Sequence, residues 1–247
     1  MRDDDSQAEP APWAAGVVTD RRGVLGRAAR SIARSTWTHL VACLVLLALM
    51  QAFVVKPYAV PSASMEPTVV TGDRILVDRR AYAGAEPEPA DVVVFDEPAA
   101  WRGGEVEDRG VLRTLAGVVG DTVGFGPSNH HAVVKRVVAT AGAEITRGDD
   151  PRTLLVDGRP LAADPAASSV PSEGGCAPAE ACAPFVVPAG MLLVAGDNRA
   201  VSSDSFSPCV QDVTAPLGDC LRLVPTTLVV GRAVWVLLPF SRWGGIA

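Results

Sequence analysis

The sequence predicts a mainly β domain standing outside a membrane, behind one N-terminal transmembrane helix. Three observations predict it. The 19 residues from Trp37 to Val55 carry no Asp, Glu, Lys or Arg, a run long enough to span a bilayer. Beyond it the chain breaks into short β-branched runs bounded by Gly, Asp and Pro, which read as strands. No amphipathic helical pattern of ten residues or more separates those runs, so the outer domain has no helical layer to build on.

Taken in order, residues 1–20 are acidic and then Ala/Pro-rich, too poor in large apolar side chains to pack a core, and are expected to be disordered. Residues 21–35 alternate arginine with apolar residues as a lead-in to the span. Arg21, Arg22, Arg27, Arg30 and Arg34 precede the apolar run, and Lys56 alone follows it closely. That asymmetry puts the N-terminus in the cytoplasm and everything after Lys56 outside, at the plasma membrane. The run is too long for the core of a cleaved secretory signal, and Tyr58-Ala59-Val60-Pro61 is a poor cleavage site. The expected organisation is a cytoplasmic tail (1–35), an anchor (36–56) and an extracytoplasmic domain (57–247), the last with a cysteine-bearing insertion around 141–188.

Within that domain the expected strands are Arg74–Asp78, Asp91–Phe95, Ala132–Ala139, Thr153–Pro160 with a tight Asp157-Gly158 turn, Val186–Val194 and Leu228–Leu238, the last too short for a second span. Glu97–Gly117 reads as loop with a short helix, and Ala162–Pro184 as a loop stapled by cysteines. The 247-residue chain is 48% hydrophobic and 20% charged with a net charge of -6, a balance that argues against nucleic acid as a partner. Cys43 lies in the span. Cys176, Cys182, Cys209 and Cys220 remain as an even set in an oxidising space. Four cysteines allow three connectivities; the local pairs Cys176–Cys182 and Cys209–Cys220 are simplest, and a zinc site competes without any CxxC spacing to support it.

The chemistry concentrates in Pro61-Ser62-Ala63-Ser64-Met65-Glu66-Pro67. Prolines on both sides keep this stretch out of a helix interior. In extended backbone, residues two apart point the same way, so Ser62 and Ser64 would present both hydroxyls to one site. The plain alternative is a Pro/Ser-rich linker leaving the anchor. A serine becomes a nucleophile only when a base takes its proton. The outer domain offers His130 and His131, of which a strand would point at most one inward, or Lys135 in a run of valines. Burial there would disfavour the ammonium; on an exposed edge strand Lys135 would face water instead.

These residues resemble bacterial type I signal peptidases, the membrane-anchored leader peptidases that use a Ser/Lys dyad, from about Thr36 to the C-terminus. Five blocks match in the family's order: Pro61–Thr68, Gly72–Val77, Asp91–Phe95, Lys135–Val137, and Gly196–Arg199 continuing to Ser205. The resemblance implies the family's β fold, shared with self-cleaving repressor peptidases, and no cofactor or metal. It implies Ser64 as nucleophile and Lys135 as general base, with Ser62 donating to the oxyanion beside the Ser64 N–H and Ser202 orienting the amine. Asp204 would be a structural carboxylate acting through Arg199 or nearby backbone. Met65 would pack beneath the site, with Asp197 and Asn198 as a scaffolding turn. The implied substrates are signal peptides of secreted pre-proteins, emerging from the secretion channel at the lipid surface and cut after small residues at -3 and -1.

Four departures stand out: Ala90 where glycine is expected, Thr140–Glu144 in place of Gly-Leu-Pro-Gly-Asp, Ala200-Val201 in place of Asp-Asn, and Phe206 in place of arginine. They leave open a paralogue that binds signal peptides or a secretion partner with little or no cutting. A self-cleaving repressor-type peptidase is the other alternative, and the span and paired cysteines count against it.

Overall fold

The computed structural model describes residues 36–101, 117, 131–161 and 179–247. The expected tail, most of the Glu97–Gly117 connection, His130 and Cys176 lie outside the described residues. The chain divides into two compact units, Met1–Leu46 and Leu47–Ala247.

Helix α1, Thr36–Phe53, is long and apolar enough to cross a membrane, and Leu40, Leu44, Leu47 and Met50 along it are exposed. It stops short of the expected Val55. Pro57 cannot continue a helix and pushes Lys56 toward extended backbone. Val55–Ala59 is therefore strand β1, paired antiparallel along Arg74–Asp78, strand β2. Arg79, just after β2, donates its guanidinium to the Gln51 and Ala52 carbonyls at the end of the helix, the favourable place for a cation.

The larger sheet runs in the order β1, β2, β11 (Val229–Leu238), β3 (Val92–Asp96), β4 (Ala132–Ala139), β9 (Met191–Ala195), β10 (Val224–Pro225), with β12 (Gly244–Gly245) added to β11. Strand β3 shows why it is central. Val92 and Val94 pack into one apolar cluster, with Met65, Ile75, Val77 and Val236. Val93 and Phe95 pack into another, with Val137, Leu192 and Val194. A strand buried on both faces reads as a continuous apolar run rather than an alternating one.

The second sheet comes from the expected insertion: β7 (Arg159–Pro160), β6 (Leu154–Val156), β5 (Glu144–Arg147), β8 (Phe185–Val186). Asp157 and Gly158, at φ 48° and 73°, make the two-residue turn between β6 and β7 that positive φ at both positions favours. The turn before β5 places Gly142 at φ 87°, so in the altered Thr140–Glu144 block glycine sits where the left-handed backbone needs it. A third apolar cluster joins this sheet through Ile145 and Leu154 to two short helices, α2 (Ser207–Gln211) and α3 (Leu217–Cys220), through Phe206, Cys209, Leu217 and Leu221. Cys209 and Cys220 form a disulfide with Cα atoms 4.9 Å apart. Cys182 is also disulfide-bonded, and Cys43 is free.

Candidate active site

Ser62 and Ser64 do come together, but not through extended backbone. Ser62 is extended, at φ -132° and ψ 155°, and caps a single 3-10 turn over Ala63–Met65. The two hydroxyls lie 3.3 Å apart. The prolines on either side limit the turn to this length. Met65 is buried in the cluster under β2 and β11, which fixes the turn, and Ser64 is left 8% exposed. The turn packs against β4, the strand that carries Lys135.

Lys135 is not on an exposed edge. Strand β4 lies between β3 and β9, Lys135 faces Val93 across the ladder, and it is 3% exposed. Its amine donates to Ser202 Oγ at 3.1 Å. Burial lowers its pKa from 10.5 to about 8, with Asp204 opposing the shift, Arg199 reinforcing it and Asp197 opposing it. Desolvation therefore outweighs the nearby carboxylates. His131 is exposed just before the same strand, four positions and about 13 Å from Lys135 at the usual strand rise.

The loop after β9 supplies the rest. Gly196 sits against both the Ser64 carbonyl and the Ser202 hydroxyl: a Cβ there would lie 2.4 Å from each oxygen. Asn198 N–H donates to the Ser64 carbonyl at 3.0 Å, which ties the serine turn to this loop. Asp197 does more than form a turn. It takes both arms of the Arg136 fork, from Nε and Nη2, at 2.8 Å each. Burial opposes ionisation of Asp197, but Arg136 and Thr68 hold its carboxyl below the usual range. Arg136 also donates from Nη1 to the Ala90 carbonyl at 2.8 Å.

Asp204 is fully buried. It accepts from Arg199, from the Gly196 N–H at 3.2 Å and from the Phe206 N–H at 3.1 Å. The base of the loop is closed by Val194 and Ser205, which exchange backbone and side-chain hydrogen bonds.

Three contributors lie in the matched blocks but had no role assigned from the sequence. Gly196 matters for the side chain it lacks, Arg136 points opposite to Lys135 on the same strand, and Thr68 approaches Arg136 at 3.4 Å. Their signal was block membership alone: Thr68 ends the serine block, Arg136 follows the lysine and Gly196 opens the last block.

Paired serine hydroxyls on a tight turn, with a further serine holding a buried, weakened lysine, are the parts of a serine hydrolase. The family model for signal peptidase, peptidase S26, matches residues 33–238. Signal peptidase I of Mycobacterium tuberculosis is 38% identical over 88% of this chain and 76% of its own length. The probable signal peptidase I of Mycobacterium leprae is 35% identical over 85% of this chain and 78% of its own. A probable signal peptidase I-1 of Synechocystis is 30% identical over 83% and 82%. A crystal structure of a signal peptidase I from Enterococcus faecalis V583 covers 60% of this chain and 96% of that chain, at 23% identity and a TM-score of 0.29. The chain belongs to the signal peptidase I family, and is a serine endopeptidase of the hydrolase class.

Proposed function

We propose that this protein removes signal peptides from secreted pre-proteins at the outer face of the plasma membrane, with Ser64 as nucleophile and Lys135 as general base. The observation that carries the reading is the buried Lys135 amine, hydrogen-bonded to Ser202 and with a pKa lowered to about 8, beside the turn that holds Ser64. Ser64 Oγ attacks the scissile carbonyl carbon while its proton passes to Lys135 Nζ. The oxyanion that forms is met by the Ser64 N–H and the Ser62 hydroxyl. Lys135 returns the proton to the leaving amine as the peptide bond breaks, which leaves an ester on Ser64. Water then attacks the ester, Lys135 takes a proton from it, and Ser64 is released with the signal peptide's new carboxylate.

Family membership supports small side chains at -1 and -3 of the substrate and lipid beside the site as part of this reading. The disulfide between Cys209 and Cys220 supports an oxidising outer compartment for the domain. Helix α1 is the anchor, and the arginines at 21–34 keep the N-terminus cytoplasmic. A reporter fused after Ala247 and labelled from the cytoplasm would refute that orientation.

The test is cleavage of a synthetic signal peptide by the detergent-solubilised protein. Ser64→Ala and Lys135→Arg should abolish turnover, since guanidinium does not deprotonate in this range. Ser62→Ala should keep a remnant, because loss of one oxyanion donor costs about a hundred- to a thousand-fold. Substantial turnover by Lys135→Arg would overturn the reading.

A further inference from the structure

A buried carboxylate close to a lysine base poses an electrostatic problem. Asp204 is fully buried in the loop that carries Ser202, the hydrogen-bond partner of Lys135. A negative charge there favours the ammonium, the form that cannot accept a proton. Yet Asp204 cannot be spared for hydrogen bonding: its oxygens hold the N–H groups of Gly196 and Phe206, at either end of the loop.

The chain answers with Arg199. Its guanidinium pairs with Asp204 and lies over the Phe206 ring, with Cζ 5.9 Å from the ring centroid. Phe206 is itself fully buried among Ala139, Leu193 and Cys209, so the ring is a fixed seat. A guanidinium tolerates such a place because it is weakly hydrated and stacks on aromatic faces. We propose that Arg199, seated on Phe206, is a positioning residue for the base: it cancels the Asp204 charge, so that Asp204 can hold the Ser202 loop without holding a proton on Lys135. This rests on Lys135 acting as the base.

The groups facing Lys135 make the sign definite. From the loop after β9 come Asp197, Arg199 and Asp204. Asp197 is already paired with Arg136, the neighbour of Lys135 on β4. On β3 its register partner is Val93, and the serine turn brings uncharged hydroxyls. Arg199 and Asp204 are thus a compensating pair whose two halves act on Lys135 in opposite directions, the arginine lowering its pKa and the aspartate raising it.

The experiment is the pH profile of kcat/KM for signal-peptide cleavage by the full chain in detergent. Arg199→Met should move the acid limb up by about one pH unit and Asp204→Asn should move it down by a similar amount, the effect of one nearby unit charge. Arg199→Met with Asp204→Asn should return the limb to near its wild-type position, and Arg199→Lys should leave it there. Phe206→Leu, which keeps the site apolar but removes the seat, should shift it in the direction of Arg199→Met. If Arg199→Met does not fold, the downward shift in Asp204→Asn still decides. A loss of rate by the same factor at every pH, with the limb fixed in both single variants, would show an ordinary structural ion pair and overturn the proposal. A wild-type profile without an acid limb, or turnover in Lys135→Arg, would overturn the lysine-base reading instead.

Discussion

Lys135→Met should make the protein more stable at neutral pH while it destroys activity, and the excess stability should vanish on the alkaline side. The folded-state pKa lies near 8, against 10.5 for a free lysine. At about 1.4 kcal/mol per unit, burying the ammonium costs roughly 3 kcal/mol. The folded value is the lower one, so between pH 8 and 10.5 the unfolded chain holds a proton that the folded chain has released. Wild-type stability therefore rises with pH across that window, and below about 8 the penalty is present in full. Methionine removes the penalty but also the bond to Ser202, worth about 1 kcal/mol. The net gain at pH 7 is about 2 kcal/mol. At pH 10 less than about 1 kcal/mol of penalty remains, and the variant should be no more stable than wild type. Urea unfolding in detergent, followed by tryptophan fluorescence at both pH values, measures this. Wild-type cleavage should report the same group: about a tenth of the molecules carry a neutral amine at pH 7 and about nine-tenths at pH 9, so kcat/KM should rise nearly tenfold. An equal stability offset at pH 7 and pH 10 would refute the argument, because a charge-independent packing change is blind to pH.

Two further substitutions test the backbone around the site. Ala90 has φ 79°, a left-handed conformation that costs a non-glycine residue about 1–2 kcal/mol, so Ala90→Gly should stabilise the protein by about 0.5–1 kcal/mol after the entropy of the more flexible unfolded chain is counted; a lower Tm would contradict this. Gly196→Ala would put a Cβ 2.4 Å from both Ser64 O and Ser202 Oγ, and the displacement should cut kcat/KM by about a hundred-fold or more with circular dichroism unchanged; wild-type turnover would show the loop can yield.

What was legible in the sequence was local. Ala132–Ala139 could be read with its observed bounds because two Val-Val pairs bracket Lys135-Arg136, and the Asp157-Gly158 turn announced itself by residue type. Strands β8, β10 and β12, of two residues each, carry no pattern, since a partner strand rather than their own sequence makes them. The two faces of β4 were equally apolar on paper. Only the placement of β3 and β9 on either side decides that Lys135 is buried. Arg136 and Asp197 are 61 residues apart, and no periodicity connects them. Phe206 looked like the loss of an arginine. In the structure its ring lies under the Arg199 guanidinium, which pairs with Asp204.

A site that buries a lysine and an aspartate must be stiffened from outside, and the insertion does this with a third buried charge. Arg147 on β5 is buried, and desolvation lowers its pKa. It spends its donors on main-chain carbonyls: Ala181 at 3.1 Å, Pro151 at 2.7 Å, Cys209 at 3.0 Å and Ala215 at 3.0 Å. Asp212 opposes that shift, and a buried cation is tolerable only where its donors are satisfied in this way. Two of these acceptors belong to the loop closed by Cys209–Cys220, and Ala181 adjoins the disulfide-bonded Cys182. A cross-link of this kind contributes about 2–4 kcal/mol, the same order as the penalty on Lys135. The Cys209–Cys220 loop begins four residues after Ser205, whose carbonyl accepts from the Arg222 N–H beyond the second cysteine at 2.9 Å. Both ends of the staple therefore meet the segment at Ser205. The Cys209–Cys220 disulfide, the Arg147 cage and the buried amine form one arrangement, in which cross-linked backbone behind the site sustains the unfavourable burial that lowers the Lys135 pKa.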